Sequence, residues 1–141
     1  MRPARVLFLC THNSARSQMA EGLLRSLGAD RFEVHSAGTE ATAVRPLAIT
    51  AMREVGIDIS KQTSKTLDPF IDQTFDYVVT VCDDANESCP VFPNATHRLH
   101  WSLPDPSKAT GTAAEQLAAY RTVRNDLRAR INTDLLAATA G

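Results

Sequence analysis

Val6-Leu7-Phe8-Leu9-Cys10-Thr11-His12-Asn13-Ser14-Ala15-Arg16-Ser17, continued by Met19, Ala20, Leu23, Leu24 and Leu27, is the stretch that decides the fold. Its first four residues are apolar without a break, as in a short strand buried on both faces of a parallel sheet. From Ser17 to Leu27 the apolar residues fall on one helical face, and Gly28 is a reasonable C-cap. The first unit is therefore strand, polar loop, helix, with Cys10 at the carboxyl end of the strand.

Working outward, a second strand is expected over Phe32 to Ser36, then a flexible Ala37-Gly38-Thr39 turn. A helix opened by Pro46 should end at Gly56, with Ile49, Met52 and Val55 toward the core. Tyr77-Val78-Val79-Thr80-Val81 is the clearest β-branched run, and Arg98-Leu99-His100-Trp101 reads as a further strand. The last helix starts on the capping-box pattern Thr112-Ala113-Ala114-Glu115 and carries Tyr120, Val123, Leu127, Ile131 and Leu135 at helical spacing. Strands alternating with helices imply an α/β fold with a parallel sheet covered on both faces, in which ligands bind beyond the carboxyl ends of the strands.

A chain of 141 residues that is 43% hydrophobic fits one domain, spanning residues 1–141, with one sizeable core. The net charge of -1, with basic residues spread along the chain, gives no electrostatic footprint for nucleic acid or for an anionic membrane. No apolar run approaches the roughly 20 residues needed to cross a bilayer. Met1-Arg2-Pro3-Ala4-Arg5 leads into the first strand without a signal pattern, so a cytoplasmic location is expected. Three cysteines are too few for a disulfide framework, which leaves reactive, metal-binding or simply buried roles.

Cys10 to Ser17 has the form C-x5-R-S between a buried strand and the first turn of a helix. Backbone N–H groups over Thr11, His12, Asn13, Ser14, Ala15, Arg16 and Ser17 can converge there on a tetrahedral oxyanion. The helix N-terminus adds partial positive charge and Arg16 can donate two parallel hydrogen bonds. The same surroundings favour a thiolate at Cys10. Cys10 could instead be a small apolar residue ending a core strand, with Arg16 on a solvated face. The strand before, the helix after and the Ser/Thr/Asn-rich filling weigh against that. Ser17 can cap the helix, hydrogen-bond the sulfur, or both.

The run from Val6 to Glu21 resembles the signature of the low-molecular-weight tyrosine phosphatase superfamily, specifically its arsenate reductase branch. The likeness extends through Ser36 to Thr39, Gly56 to Ser60, Thr80 to Cys82, and Trp101 to Pro106. The resemblance implies a four-stranded parallel sheet flanked by helices, with the anion loop after the first strand. It also implies arsenate as substrate, phosphate or sulfate as analogues, and a role in arsenic detoxification.

Asp105, in the loop after the last strand, is placed to act as the general acid that protonates the oxygen leaving arsenic, although a turn aspartate before proline is common. Cys82 and Cys89 follow the third strand, and the polar residues between them suggest an exposed, weakly held segment. Cys-x6-Cys is not a usual zinc spacing. Within the resemblance a relay fits better: Cys10 forms a covalent arsenic adduct, Cys82 attacks Cys10 and expels arsenite, and Cys89 then attacks Cys82 to present a disulfide to thioredoxin. Bridged cysteines need α-carbons roughly 4.4 to 6.8 Å apart, so the 82–89 segment should rearrange between the two pairings. Two buried structural thiols are the alternative.

The resemblance requires no cofactor, and its one candidate ion is potassium, at positions matched by Asn13, Glu21, Ser36 and Thr63. Lys65 stands where an acidic residue would help, and an ammonium paired with Glu21 would replace the ion. Ala15 stands where some relatives carry a further cysteine. Two rival functions remain: a phosphomonoesterase of the same family, and a non-enzymatic oxyanion or redox sensor. Phosphatase relatives carry Asp-Pro-Tyr-Tyr, whereas this chain reads Asp105-Pro106-Ser107-Lys108, so weak residual phosphatase activity is expected.

Overall fold

The computed structural model describes residues 2–83 and 91–139. The elements run β1 (Ala4–Cys10), α1 (Arg16–Gly28), β2 (Phe32–Gly38), α2 (Pro46–Arg53), β3 (Phe75–Thr80), β4 (Ala95–His100) and α3 (Ala113–Ile131). Short helical turns lie at Ala29–Arg31, Asp68–Phe70 and Pro106–Lys108, and a π-helical turn, Asn132–Leu136, extends α3. The sheet order is β2-β1-β3-β4 with every pair parallel. From β1 the chain goes first to β2 on one side and then to β3 on the other. That reversal opens a crevice at the carboxyl ends of β1 and β3, where Cys10 stands.

Alternation along β1 divides the core. Val6 and Phe8 join Val34 and Val79 against Met19, Leu23 and Leu24 of α1, Met52 of α2, and Val123, Leu127 and Ile131 of α3. Leu7, Leu9 and Val78 face the other way and pack with Phe70 of a helical turn, Phe75 and Phe92. The expected capping box forms at α3: the Glu115 N–H donates to Thr112 Oγ1 at 3.1 Å and the Thr112 N–H to Glu115 Oε1 at 3.2 Å. No described helix is long and apolar enough to cross a membrane.

Four local expectations are corrected. The buried face of α2 is Ala48, Ala51 and Met52, with Ile49 only partly buried; the small alanines let the helix settle close, and the larger side chains cover its flank. The helix itself ends at Arg53, and a further turn brings the chain to Gly56, whose φ of +80° suits glycine. At the end of α1 the left-handed residue is Ala29 (φ +48°), not Gly28; a Cβ on Gly28 would lie 2.4 Å from the Phe32 ring, so the glycine makes room for β2. Ala37 and Gly38 are the last residues of β2 rather than a turn, with Gly38 opposite Cys10 and tied to Lys65 and Leu67.

Candidate active site

Cys10 Sγ lies 2.8 Å from Ser17 Oγ and accepts the Asn13 N–H at 3.2 Å, so polar groups from the loop and from the first turn of α1 meet at the sulfur. No side chain caps α1, whose first N–H groups face the same loop. Asn13 adopts φ +48°, a left-handed conformation that asparagine tolerates. Its fully buried amide pins the loop: Nδ2 donates to Ser17 Oγ (2.8 Å) and Ser36 Oγ (3.0 Å), while Oδ1 accepts from Gln18 Nε2 and the Lys65 N–H, both at 2.9 Å.

The loop carbonyls are engaged on the outside. Thr11 O accepts from the Glu40 N–H and Thr39 Oγ1, His12 O from Thr42 Oγ1 and Ser64 Oγ, and Ser14 O from the Arg45 N–H. In a trans peptide the N–H opposes the C=O, so this arrangement suits a loop that offers N–H groups to an oxyanion at its centre. Gly38 closes the floor: a Cβ there would stand 2.7 Å from Thr11 O, 2.8 Å from Asn13 N and 2.9 Å from Cys10 O.

Arg16 opens α1 yet is buried. Nη1 donates to Leu103 O at 3.0 Å and Nη2 lies 3.8 Å from Asp105 Oδ2, so the β4–α3 connection sets the direction of the guanidinium. Asp105 is oriented from its other oxygen, which accepts the Ser107 N–H (2.9 Å) and Ser107 Oγ (2.6 Å). The acid candidate thus sits beside Arg16. A cavity of about 440 Å³ adjoins it, lined by Asp83, Pro104, Asp105, Pro106, Lys108 and Val123 among others, none of them aromatic.

Cys82 is fully buried, unlike the exposed segment expected to begin there. The residue before it, Val81, donates its N–H to Leu9 O at 2.9 Å, which brings Cys82 out of β3 alongside the end of β1. Cys82 O accepts the Leu103 N–H at 3.3 Å. Both Cys10 and Cys82 lie in the larger core. Cys89, and with it the expected rearrangement of the 82–89 segment, falls outside the described residues.

Asn13, Glu21, Ser36 and Thr63 do come together behind the loop, but their oxygens are taken. Glu21 Oε1 accepts from Ser36 Oγ at 2.5 Å and lies 3.7 Å from Lys65 Nζ, and Oε2 is 2.6 Å from Arg25 Nη1. Thr63 O accepts from Gln18 Nε2 (2.9 Å) and Lys65 Nζ (2.8 Å). Burial pulls the Lys65 pKa below its usual value while the Glu21 carboxylate opposes that pull. Among the described residues no group of three His, Cys, Asp or Glu side chains could hold a metal. Sequence reading overlooked Gln18, Arg25, Ser107 and the Leu103 peptide. Gln18 offers a signal in retrospect: a polar residue beside the apolar stripe of a core helix needs buried partners.

Comparison with known proteins bears on the family and the fold. The profile of the family described as low molecular weight phosphotyrosine protein phosphatase matches residues 5–139. The chain is 49% identical over 128 residues, 91% of this chain and 92% of the relative, to an arsenate reductase of Halalkalibacterium halodurans. A solved arsenate reductase in the phosphate binding state superposes with a TM-score of 0.82 at 38% identity, covering 96% of this chain and 98% of that one. A thioredoxin-dependent arsenate reductase of Corynebacterium glutamicum gives a TM-score of 0.68 at 29% identity, covering 96% of this chain and 63% of the other.

Proposed function

Because this chain belongs to the low molecular weight phosphotyrosine protein phosphatase family, and its near relatives there are arsenate reductases, we propose that it reduces arsenate to arsenite with its own thiols as the electron source. The observation that carries this reading is a second buried thiol, Cys82, leaving the strand next to the one that ends in Cys10. Hydrolysis of a phosphate ester needs only the first thiol.

In the first step the Cys10 thiolate attacks pentavalent arsenic held by the loop and Arg16. A sulfur–arsenic bond forms, and one oxygen leaves as water with a proton from Asp105; no electrons have yet changed hands. In the second step the Cys82 thiolate attacks Cys10 Sγ. The sulfur–sulfur bond forms, the pair of the sulfur–arsenic bond passes to arsenic, and arsenite leaves in the trivalent state. Two thiols have then been oxidised to one disulfide and one arsenic reduced by two electrons.

Cys89 then takes the disulfide from Cys10, and thioredoxin, itself a dithiol, reduces the resulting Cys82–Cys89 bond. The name of the Corynebacterium glutamicum relative supports that choice of reductant. Phosphate esters should turn over only weakly, since among the described residues the cavity beside Asp105 has no aromatic wall to grip a phenyl group. The role is arsenic detoxification in the cytoplasm.

Steady-state assay with arsenate, thioredoxin and thioredoxin reductase tests the reading. Multiple turnover is expected of the wild type. Cys89→Ser should release one equivalent of arsenite and stall as a Cys10–Cys82 disulfide identifiable by mass spectrometry. A wild type that reacts once and stops would be a sensor, and Cys89→Ser with undiminished turnover would remove Cys89 from the relay.

A further inference from the structure

Glu21 is a carboxylate buried behind the oxyanion loop, 3% exposed, and a charge so placed needs compensation from within. Family resemblance places potassium there, with oxygens from Asn13, Glu21, Ser36 and Thr63. These residues do not fit a free ion. Asn13 Oδ1 already accepts two N–H groups, Ser36 Oγ donates to Glu21 and accepts from Asn13, and Thr63 O accepts from Gln18 and Lys65. An ion of radius similar to an ammonium group would have to displace Lys65 Nζ from between Thr63 O (2.8 Å) and Glu21 Oε1 (3.7 Å).

We propose that the Lys65 ammonium is a tethered cation that occupies the position of a free monovalent ion, holding Glu21 and the 63–65 segment against the oxyanion loop so that the loop keeps its shape whatever salt is present. The tether is short and direct. Lys65 also donates its backbone N–H to Asn13 Oδ1 and accepts the Gly38 N–H, so the residue that supplies the charge is bonded to the peg and the floor of the loop. Arg25, on the opposite oxygen of Glu21, is half exposed and can screen but not fill this position. A covalently held ion has no dissociation equilibrium, so the stabilisation it provides is independent of ion concentration, unlike that of a bound ligand.

The inference concerns the loop itself and holds for either arsenate or phosphate as occupant. Melting temperature and phosphate affinity of the full chain are measured in potassium, sodium and N-methylglucamine chloride at equal ionic strength. Wild type should give the same values in all three. Lys65→Met should melt about 2–8 °C lower in N-methylglucamine and recover in potassium but not in N-methylglucamine, with phosphate affinity following the same order. A potassium-specific rise in wild type overturns the proposal, as does a Lys65→Met variant indifferent to potassium. A variant-free measurement stands beside these: in wild type labelled with nitrogen-15 lysine, one ammonium resonance should be protected from exchange and unmoved by potassium. Its loss or displacement on adding potassium would equally overturn the assignment.

Discussion

Gly38→Ala tests whether the floor of the oxyanion loop is as tightly set as the distances indicate. The added methyl would meet three backbone atoms, Thr11 O, Asn13 N and Cys10 O, at 2.7 to 2.9 Å, where ordinary contact begins near 3.4 Å. None of the three is the end of a flexible side chain, so about half an ångström must be found by moving the loop or the end of β2. Overpacking of this kind costs about 1–3 kcal/mol. A displacement approaching 1 Å in a catalytic constellation costs about a hundredfold in rate, so the single-turnover rate of arsenite release should fall about ten- to a hundredfold. Gly28→Ala is the matched control. Its methyl would meet the Phe32 ring at 2.4 Å, at the far end of α1 from the loop, and should lower the melting temperature without changing phosphate affinity. Calorimetric titration with phosphate, thermal melts and single-turnover arsenite release would be run on both. Gly38→Ala with wild-type phosphate affinity and rate would refute the reasoning, because the loop would then have slack.

Arg16→Lys should bind phosphate at least tenfold more weakly, since an ammonium cannot span Leu103 O, the Asp105 side and an oxyanion at once; equilibrium titration reads this directly. Asp105→Asn should slow arsenite release in a single turnover by about 10²–10⁴-fold at neutral pH, with phosphate affinity changed far less; an unaltered rate would assign the proton to another group. Glu54 is exposed and bonded to Arg121 and Arg124, which hold its carboxyl at about 2 instead of 4.5, the Arg121 hydrogen bond being the main cause. A lowered carboxyl pKa stabilises the fold above the unfolded value and is lost as pH falls through the folded one. Wild type should therefore melt above Glu54→Gln at neutral pH, and the gap should close between about pH 4.5 and pH 2.

Much of this was legible in the linear sequence because it is local. The apolar run before Cys10, the helical stripe after Arg16 and the box at Thr112 each need only a few neighbouring residues to be read. The β4–α3 connection was partly legible: Asp105 could be placed at the right edge of the sheet, but not the Leu103 carbonyl that takes Arg16, since a backbone group leaves no mark in the residue type. Gly28 and Gly38 misled for a common reason. Each was read as a conformational device, whereas each is a space left for a partner distant in sequence or across a strand pair. The α2 face was shifted because periodicity weighted large side chains, while tight packing chose the alanines.

The Leu103 peptide touches the site at both ends, its N–H on Cys82 O and its carbonyl on Arg16 Nη1. Both bonds belong to the main chain, so a truncation survey of side chains would register Leu103 as an ordinary packing residue, buried in the larger core. A change to alanine or methionine keeps both of the main-chain groups that join Cys82 to Arg16. Proline alone among the natural residues breaks the Cys82 half of that link, by removing the N–H, and leaves the carbonyl for Arg16. Libraries meant to diversify this protein therefore have to inherit the path of the backbone from Trp101 to Asp105 whole, while the buried Leu103 side chain limits the volumes that position accepts.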